Sequence, residues 1–182
     1  MRADKLGIPF VHFDSSEYSN NLQNVGVSAA EAYRKVFERT GAEWAALSGW
    51  LKKVEGLDPA RTFNIHPALL SFDHGRFGGP GLYGHHVHEA VKAALDAGEL
   101  MESGLTMHFV TPEYDRGPIF FEYRISIEKG MSADDIGSVV NKLEHAWQPK
   151  ITNMVVHGEI SWNGKDLKSL QVPDEYQHLP KA

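Results

Sequence analysis

Three polar residues have the types and spacing of an acyl-transfer site. Asn64 and His66 are two residues apart in an apolar run that ends at Pro67. Successive side chains of a strand point to opposite faces, so the Asn64 amide and the His66 imidazole project from one face where the strand ends. Asp115 lies in a separate turn, from which its carboxylate could orient the imidazole or favour its charged form.

These groups match the charges that develop when an amine attacks an acyl carbon. Asn64 and protonated His66 would donate hydrogen bonds to the developing oxyanion, and losing one such donor typically slows a reaction about 10²–10³-fold. His66, with a water held by Asp115, would carry the proton to the leaving nitrogen, which contributes roughly 10²–10⁴-fold. No metal is required. An Asn-x-His pair alone is weak evidence, because asparagine at a strand end commonly bonds its own backbone.

The elements that must position these residues alternate between helix and strand. Ser28 and Ser132 each precede an acidic residue by three positions, the spacing of a capping box, and predict helices over residues 29–40 and 133–156. Apolar runs bounded by glycine and proline predict strands, and such runs suit parallel strands covered on both faces. The remaining predicted elements are a helix over residues 87–97 and strands over residues 9–13, 44–48, 61–66, 105–110, 119–127 and 160–162.

Composition indicates one globular domain and excludes several classes of protein. The 182 residues, 42% of them hydrophobic, are enough for a single core, so we expect one domain over 1–182 with a polar tail from about 163. The net charge of −6 argues against a general nucleic-acid or anionic-membrane surface. The chain has no cysteine, no long apolar run and a polar start, so a cytoplasmic location is expected.

Segments through most of the chain resemble, in order, those of the folate-dependent formyltransferases, and most closely the branch that acts on glycinamide ribonucleotide. They are residues 2–9, 44–51, 63–70, 79–88, 108–118 and 144–149. The resemblance implies a Rossmann-like α/β fold with a mostly parallel central sheet and helices on both faces. It also implies transfer of a formyl group from 10-formyltetrahydrofolate to the amine of glycinamide ribonucleotide, a step of de novo purine biosynthesis.

The resemblance assigns roles to individual residues, with no metal among them. Asn64, His66 and Asp115 are the implied catalytic residues, and Asn141 and Glu144, three apart on one helix face, are the implied substrate-binding residues. The implied folate-binding residues are Trp50, Leu51, Lys52, Thr111, Tyr114 and Asp115. Two alternatives stay open: a formyltransferase acting on a sugar amine, and a non-catalytic folate-binding or partner subunit.

Two further segments carry expectations. The glycine-rich residues 75–84 are expected to form a lid over the folate, while His85, His86 and His88 lack the further ligand motif of a zinc site. Family members begin with a strand, a glycine- and serine-rich turn and a helix that hold a phosphate, and nothing like these precedes Arg2. We therefore expect an N-terminally truncated fold that opens in the last turn of a helix, and a second copy or partner chain covering the exposed strand edge.

Overall fold

The computed structural model describes residues 2–8, 10–11 and 28–176, and the chain divides into two compact units. One unit comprises Met1–Glu43 and Lys52–Leu57, and the other comprises Trp44–Leu51 and Asp58–Ala182. The single domain expected over the whole chain stays a prediction. The strand predicted over residues 9–13 lies largely outside the described residues.

The described residues of the first unit include two helices, α1 at Arg2–Leu6 and α2 at Ala29–Thr40. Gly7 follows α1 with a φ of 64°, the left-handed conformation predicted for the residue after a helix. The Ser28 hydroxyl accepts a hydrogen bond from the backbone amide three residues later and begins α2. Gly41, with a φ of 67°, ends it. The helix predicted from the capping pattern is thus confirmed.

The second unit contains a four-stranded sheet in the order β1-β2-β3-β4. Its strands are β1 at Ala45–Leu47, β2 at Thr62–His66, β3 at Glu102–Phe109 and β4 at Ile119–Ser126. β1 and β2 are parallel, as expected from the sequence. The other two pairings described here, β2 with β3 and β3 with β4, are antiparallel, so the parallel arrangement holds for only one of these three neighbouring pairs.

The strand register explains why β3 runs opposite to β2. Asn64 lies opposite His108 and His66 lies opposite Thr106, so β3 begins beyond the end of β2 at which His66 lies. A parallel crossover would have to return the chain to the other end of β2. Here the long loop of residues 67–84 precedes the intervening helix, and the whole connection delivers the chain to the near end instead.

The β3–β4 hairpin depends on glycine at two close approaches of the backbone. A Cβ atom on Gly104 would lie 1.9 Å from the carbonyl oxygen of Tyr123, and one on Gly117 would lie 1.7 Å from that of Phe109. No side chain fits at either position without moving a backbone. The two glycines therefore allow the strands and their connecting loop, which carries Asp115, to pack closely.

The described part of this unit also contains two α-helices: α3 at His85–Asp96 and α4 at Ala133–Val156. They pack against each other, and α4 also packs on β3. α4 begins with the predicted capping box, in which the Ser132 hydroxyl and the Asp135 carboxylate each accept from the other's backbone amide. Within the described residues, no helix is both long enough and apolar enough to cross a membrane.

Aromatic side chains form much of the core beneath the sheet. Phe63, Phe109 and Phe120 are almost completely buried, and their rings meet at centroid distances of 6.1 Å and 4.9 Å around Phe120. Burying each such side chain contributes about 1.5–3 kcal/mol. Phe63 precedes Asn64 on β2 and points to the opposite face, so this packing fixes the strand that carries the candidate catalytic residues.

The strand predicted over residues 160–162 does not form. Ser161 instead makes an isolated antiparallel bridge with Gln171, because the chain turns back within the intervening residues. The indole nitrogen of Trp162 donates to the carbonyl oxygen of Asp166 at 2.9 Å and closes this turn. Apolar residues of the segment expected to be a polar tail also pack against the core: Leu170, Val172 and Tyr176.

Candidate active site

The second unit contains a cavity of about 880 Å³ at the end of β2. Its walls come from the turn after β1, from β2, from the glycine-rich segment before α3, from the β3–β4 loop and from α4. The imidazole and carboxylate side chains among its lining residues are His66, His85, His88, Asp115, Asp134 and Glu144. The cavity thus combines apolar walls with several groups that can exchange protons, as substrate sites commonly do.

The two polar residues of β2 both line this cavity, as their spacing predicts. Asn64 and His66 lie on the same face of the strand, and Pro67 follows them directly. His66 is only 4% exposed, whereas Asn64 is half-buried. The strand therefore presents an amide and an imidazole side by side to any molecule in the cavity.

The His66 ring is held in one tautomer. Its Nε2 lies 2.7 Å from the carbonyl oxygen of Phe77, which can only accept, so Nε2 carries the proton. Burial lowers the pKa of His66 below its usual 6.5, although the negative charge of Asp115 and the bond to Phe77 oppose the shift. The resting ring is therefore neutral with a free lone pair on Nδ1. This differs from the protonated donor expected from the sequence, and desolvation is the reason.

Asp115 is positioned by contacts on both of its carboxylate oxygens. Oδ2 accepts a hydrogen bond from the Gly79 amide at 2.9 Å and lies 3.8 Å from Nδ1 of His66, and Oδ1 lies 3.5 Å from Nε2 of His108. Burial by itself would raise the pKa of Asp115, but the hydrogen bond with His108, the positive charge that His66 carries once protonated at acidic pH, and the Gly79 amide together lower it. The carboxylate is therefore ionised beside the His66 ring.

His108 connects Asn64 to Asp115, and the sequence did not identify it as a site residue. Its Nδ1 lies 2.9 Å from the carbonyl oxygen of Phe109, and its Nε2 lies 3.3 Å from Nδ2 of Asn64. The ring is only 2% exposed. The only signal in the sequence was a histidine within an apolar strand. Because His108 lies opposite Asn64, it completes a chain of four polar side chains: Asn64, His108, Asp115 and His66.

The helix α4 carries another polar pair of the cavity. Asn141 and Glu144 on α4 both line the cavity, and Nδ2 of Asn141 donates to Oε2 of Glu144 at 3.3 Å. Burial raises the pKa of Glu144, while the bond from Asn141 and the nearby His145 oppose that shift. The structure thus brings the two predicted substrate-binding residues to the same cavity as the predicted catalytic residues.

Comparisons with known proteins identify the family of this chain. A family model described as formyl transferase matches residues 1–152. The chain belongs to the formyl transferase family. It is 33% identical over 177 residues to the chloroplastic phosphoribosylglycinamide formyltransferase of Arabidopsis thaliana, covering 93% of this chain and 56% of that protein. It is 28% identical over 159 residues to phosphoribosylglycinamide formyltransferase of Bacillus subtilis, covering 85% of this chain and 72% of that protein.

A solved structure shows the same fold. Glycinamide ribonucleotide transformylase 1 from Symbiobacterium toebii superposes with a TM-score of 0.72 at 24% identity, covering 95% of this chain and 74% of that one. The Rossmann-like formyltransferase fold expected from the sequence is thereby confirmed. The chain spans about half the length of the Arabidopsis relative.

The folate-binding residues implied by the resemblance fall into two groups. Four line this cavity: Trp50, Leu51, Tyr114 and Asp115. Of the other two, Lys52 belongs to the first compact unit, and Thr111 is not among the lining residues but donates to the carbonyl oxygen of Glu113 at 3.3 Å. Thr111 is close to Tyr114 and Asp115 in the chain but does not line the cavity, because its hydroxyl bonds the backbone of its own loop.

The histidines at the start of α3 have acidic neighbours. His85 lies 3.6 Å from Glu89 and 3.5 Å from Asp134, and His86 lies 3.0 Å from Glu89. Across the residues that the structure describes, no three side chains are grouped as metal ligands. Of the three histidines, His85 and His88 line the cavity at the end of β2.

Proposed function

We propose that this cavity transfers a formyl group from 10-formyltetrahydrofolate to the amine of glycinamide ribonucleotide. The observation that carries the proposal is the convergence of Asn64, His66 and Asp115, which come from two distant parts of the chain, in one cavity of a formyltransferase fold. Relatives named phosphoribosylglycinamide formyltransferase support this choice of substrates.

The apolar wall of the cavity fits a flat heteroaromatic ring. Trp50, Leu51, Tyr83 and Tyr114 line it and remain substantially exposed, so a bound ring system would remove their surfaces from water. 10-Formyltetrahydrofolate supplies the formyl group and, after transfer, the leaving nitrogen. On the opposite wall, Asn141 and Glu144 are placed to receive the amine-bearing substrate, because a carboxylate and an amide oxygen accept hydrogen bonds from an amine.

The residues at the end of β2 would handle charge and protons. Asn64 donates a hydrogen bond from its amide to the formyl oxygen as that oxygen becomes negative. His66 accepts the proton of the attacking amine at Nδ1, because Nε2 already donates to Phe77. Asp115 stabilises the imidazolium that results, and the proton then passes from Nδ1 to the leaving nitrogen of the folate. The new bond joins the amine nitrogen to the formyl carbon, and the bond from that carbon to the folate nitrogen breaks.

Substitution of the two β2 residues tests this function. We expect Asn64→Ala and His66→Ala each to lower the rate of formyl transfer about 10²–10³-fold, since each removes a group that acts on developing charge. The measurement is the absorbance change on conversion of the folate, with circular dichroism to check folding. The matched control is His157→Ala, which removes an exposed histidine at the end of α4.

Two results would contradict the proposal. Wild-type turnover in both variants would exclude the mechanism, and transfer to a sugar amine but not to glycinamide ribonucleotide would exclude the substrate. Each wild-type and variant protein is therefore assayed with both amines.

A further inference from the structure

The loop of residues 72–79 makes hydrogen bonds with both His66 and Asp115. Its Phe77 carbonyl oxygen accepts the proton of His66 Nε2 at 2.7 Å, and its Gly79 amide donates to Asp115 Oδ2 at 2.9 Å. The tautomer of the imidazole and the orientation of the carboxylate therefore both depend on the shape of one loop.

That loop has a backbone conformation that side chains disfavour. Asp73 and His74 have φ angles of 42° and 53°, and Gly75 has a φ of 82°. Residues other than glycine rarely adopt positive φ, and such conformations persist only where surrounding contacts hold them. Asp115 itself has a φ of 52°. Three consecutive residues of the loop thus have positive φ, and so does Asp115, whose carboxylate contacts the same loop at Gly79.

The side chain of Arg116 joins these two segments. Its Nη1 donates to the carbonyl oxygen of His74 at 3.0 Å and to that of Gly75 at 3.1 Å. A Cβ atom on Gly75 would lie only 1.6 Å from this nitrogen, so the guanidinium occupies space that only glycine leaves free. Arg116 does not line the cavity, so it reaches the substrates only through other residues.

We propose that Arg116 is a positioning residue, whose guanidinium holds the loop of residues 72–79 in the shape that orients His66 and Asp115. The proposal rests on the function proposed above for those two residues. Arg116 directly follows Asp115 in the chain. Its side chain therefore connects the turn that carries Asp115 to the loop that contacts both Asp115 and His66. Losing the two hydrogen bonds releases the left-handed backbone and loosens both contacts together.

The first test compares variants of Arg116. We expect Arg116→Met, which keeps the length of the side chain but not its donors, to lower kcat at least tenfold while KM for either substrate changes less than about threefold. Arg116→Lys keeps a cationic donor and should recover part of the loss. Arg39→Met is the matched control, because Arg39 is exposed on α2. An unchanged kcat in Arg116→Met would overturn the proposal.

A second variant reaches the same contact from the other side. Gly75→Ala places a methyl group where the guanidinium lies, so it should lower kcat as Arg116→Met does. If both act by releasing the same contact, the double variant should be little worse than either single one. Fully additive losses would show that Arg116 and Gly75 act independently and would contradict the proposal.

A readout that needs no turnover separates this proposal from the proposed function. Burial is the main cause of the low pKa of His66, so loosening the loop should raise that pKa toward 6.5 in Arg116→Met. NMR titration of the histidine ring protons measures this shift, with the His66→Ala spectrum for assignment. An unchanged titration would overturn the proposal. If the wild-type protein transferred no formyl group, the proposed function would fail while the titration still decided the role of Arg116.

Discussion

At the scale of single residues, the proposed mechanism depends on the protonation state of His66. Its pKa lies below 6.5 because the ring is buried, and the neutral ring is the form that can accept a proton at Nδ1. We therefore expect kcat/KM for formyl transfer to rise with pH along an acidic limb that lies below pH 6.5 and to level off above it. A limb centred above 6.5 would show that His66 acts in another form.

Asp115→Asn should change both the height and the position of this pH profile. The Asp115 carboxylate raises the pKa of His66 against the effect of burial, so its removal should move the acidic limb to still lower pH and reduce the plateau rate. Folate affinity should change little, because the cavity walls remain. The measurements are rates across pH and a folate titration by fluorescence. An equal fall in affinity and turnover would assign Asp115 to binding instead.

The lowered pKa of His66 also makes the free energy of unfolding depend on pH. The unfolded chain takes up a proton at His66 near pH 6.5, whereas the folded chain does so only at lower pH. This contribution to the free energy of unfolding is therefore fully present above pH 6.5 and is lost as the pH falls through the folded-state pKa. Asp115 contributes in the same direction at lower pH, because its pKa is lowered from 3.8.

Residue types and spacing predicted which of these side chains share the cavity, but not what holds them. Asn64, His66, Asp115 and Glu144 could be predicted from their types and from the resemblance. His108 could not, because its role depends on the register that places it opposite Asn64. The contacts of Phe77 and Gly79 could not be predicted either, since they use backbone groups, which every residue has.

At the scale of elements, a buried polar network joins the segment after β2 to the next two strands. The Thr106 hydroxyl donates to the carbonyl oxygen of Ala68 at 2.7 Å and accepts from the Leu70 amide at 3.0 Å. The fully buried carboxylate of Glu122 accepts from the Ser71 hydroxyl at 2.6 Å and from Arg124 at 2.8 Å. These bonds fix the chain immediately after the strand that carries His66.

Thr106→Val tests this network because it keeps the shape of the side chain. The Leu70 amide would lose its partner inside the protein, so we expect a loss of about 1–3 kcal/mol in the free energy of unfolding. Urea denaturation measures the loss, with Thr40→Val, an exposed threonine on α2, as the control. Equal stability of the two variants would show that the network contributes nothing measurable.

The identity of the elements was easier to predict than their directions. Capping patterns and apolar runs placed α2, α4 and the four strands to within a few residues. The antiparallel pairing of β3 followed from the path of residues 67–84, which contain no periodic pattern, so no local signal indicated it. Its register in turn decides which histidine faces Asn64.

At the scale of the whole molecule, the segment after Trp162 belongs to the core of the second unit. Leu170, Val172 and Tyr176 pack against that core, and Trp162 packs on Phe109 with ring centroids 5.6 Å apart. The polar composition of the segment after Trp162 predicted a tail, because a few apolar residues spaced along a polar segment give no periodic signal. Only the turn closed by Trp162 brings them to the core.

Truncation tests this assignment. Deletion of residues 163–182 removes three packed apolar side chains, which we expect to cost roughly 2–4 kcal/mol and to lower Tm by about 5–15 °C. Deletion of residues 177–182, which lie outside the described part of the chain, is the control. Differential scanning calorimetry measures both, and equal Tm values would show that the segment is dispensable for stability.

The missing side chain of Gly75 has a consequence for how this protein can diverge. Because the guanidinium of Arg116 fills the space beside Gly75, the two positions are free to mutate only in a certain order. If Gly75 is replaced first, the new side chain displaces the guanidinium of Arg116. If Arg116 is replaced first, a later substitution of Gly75 is opposed only by the positive φ at position 75. As long as residue 116 is arginine, replacement of Gly75 is disfavoured. Arginine at position 116 and glycine at position 75 should therefore occur together, or be replaced together, among related proteins.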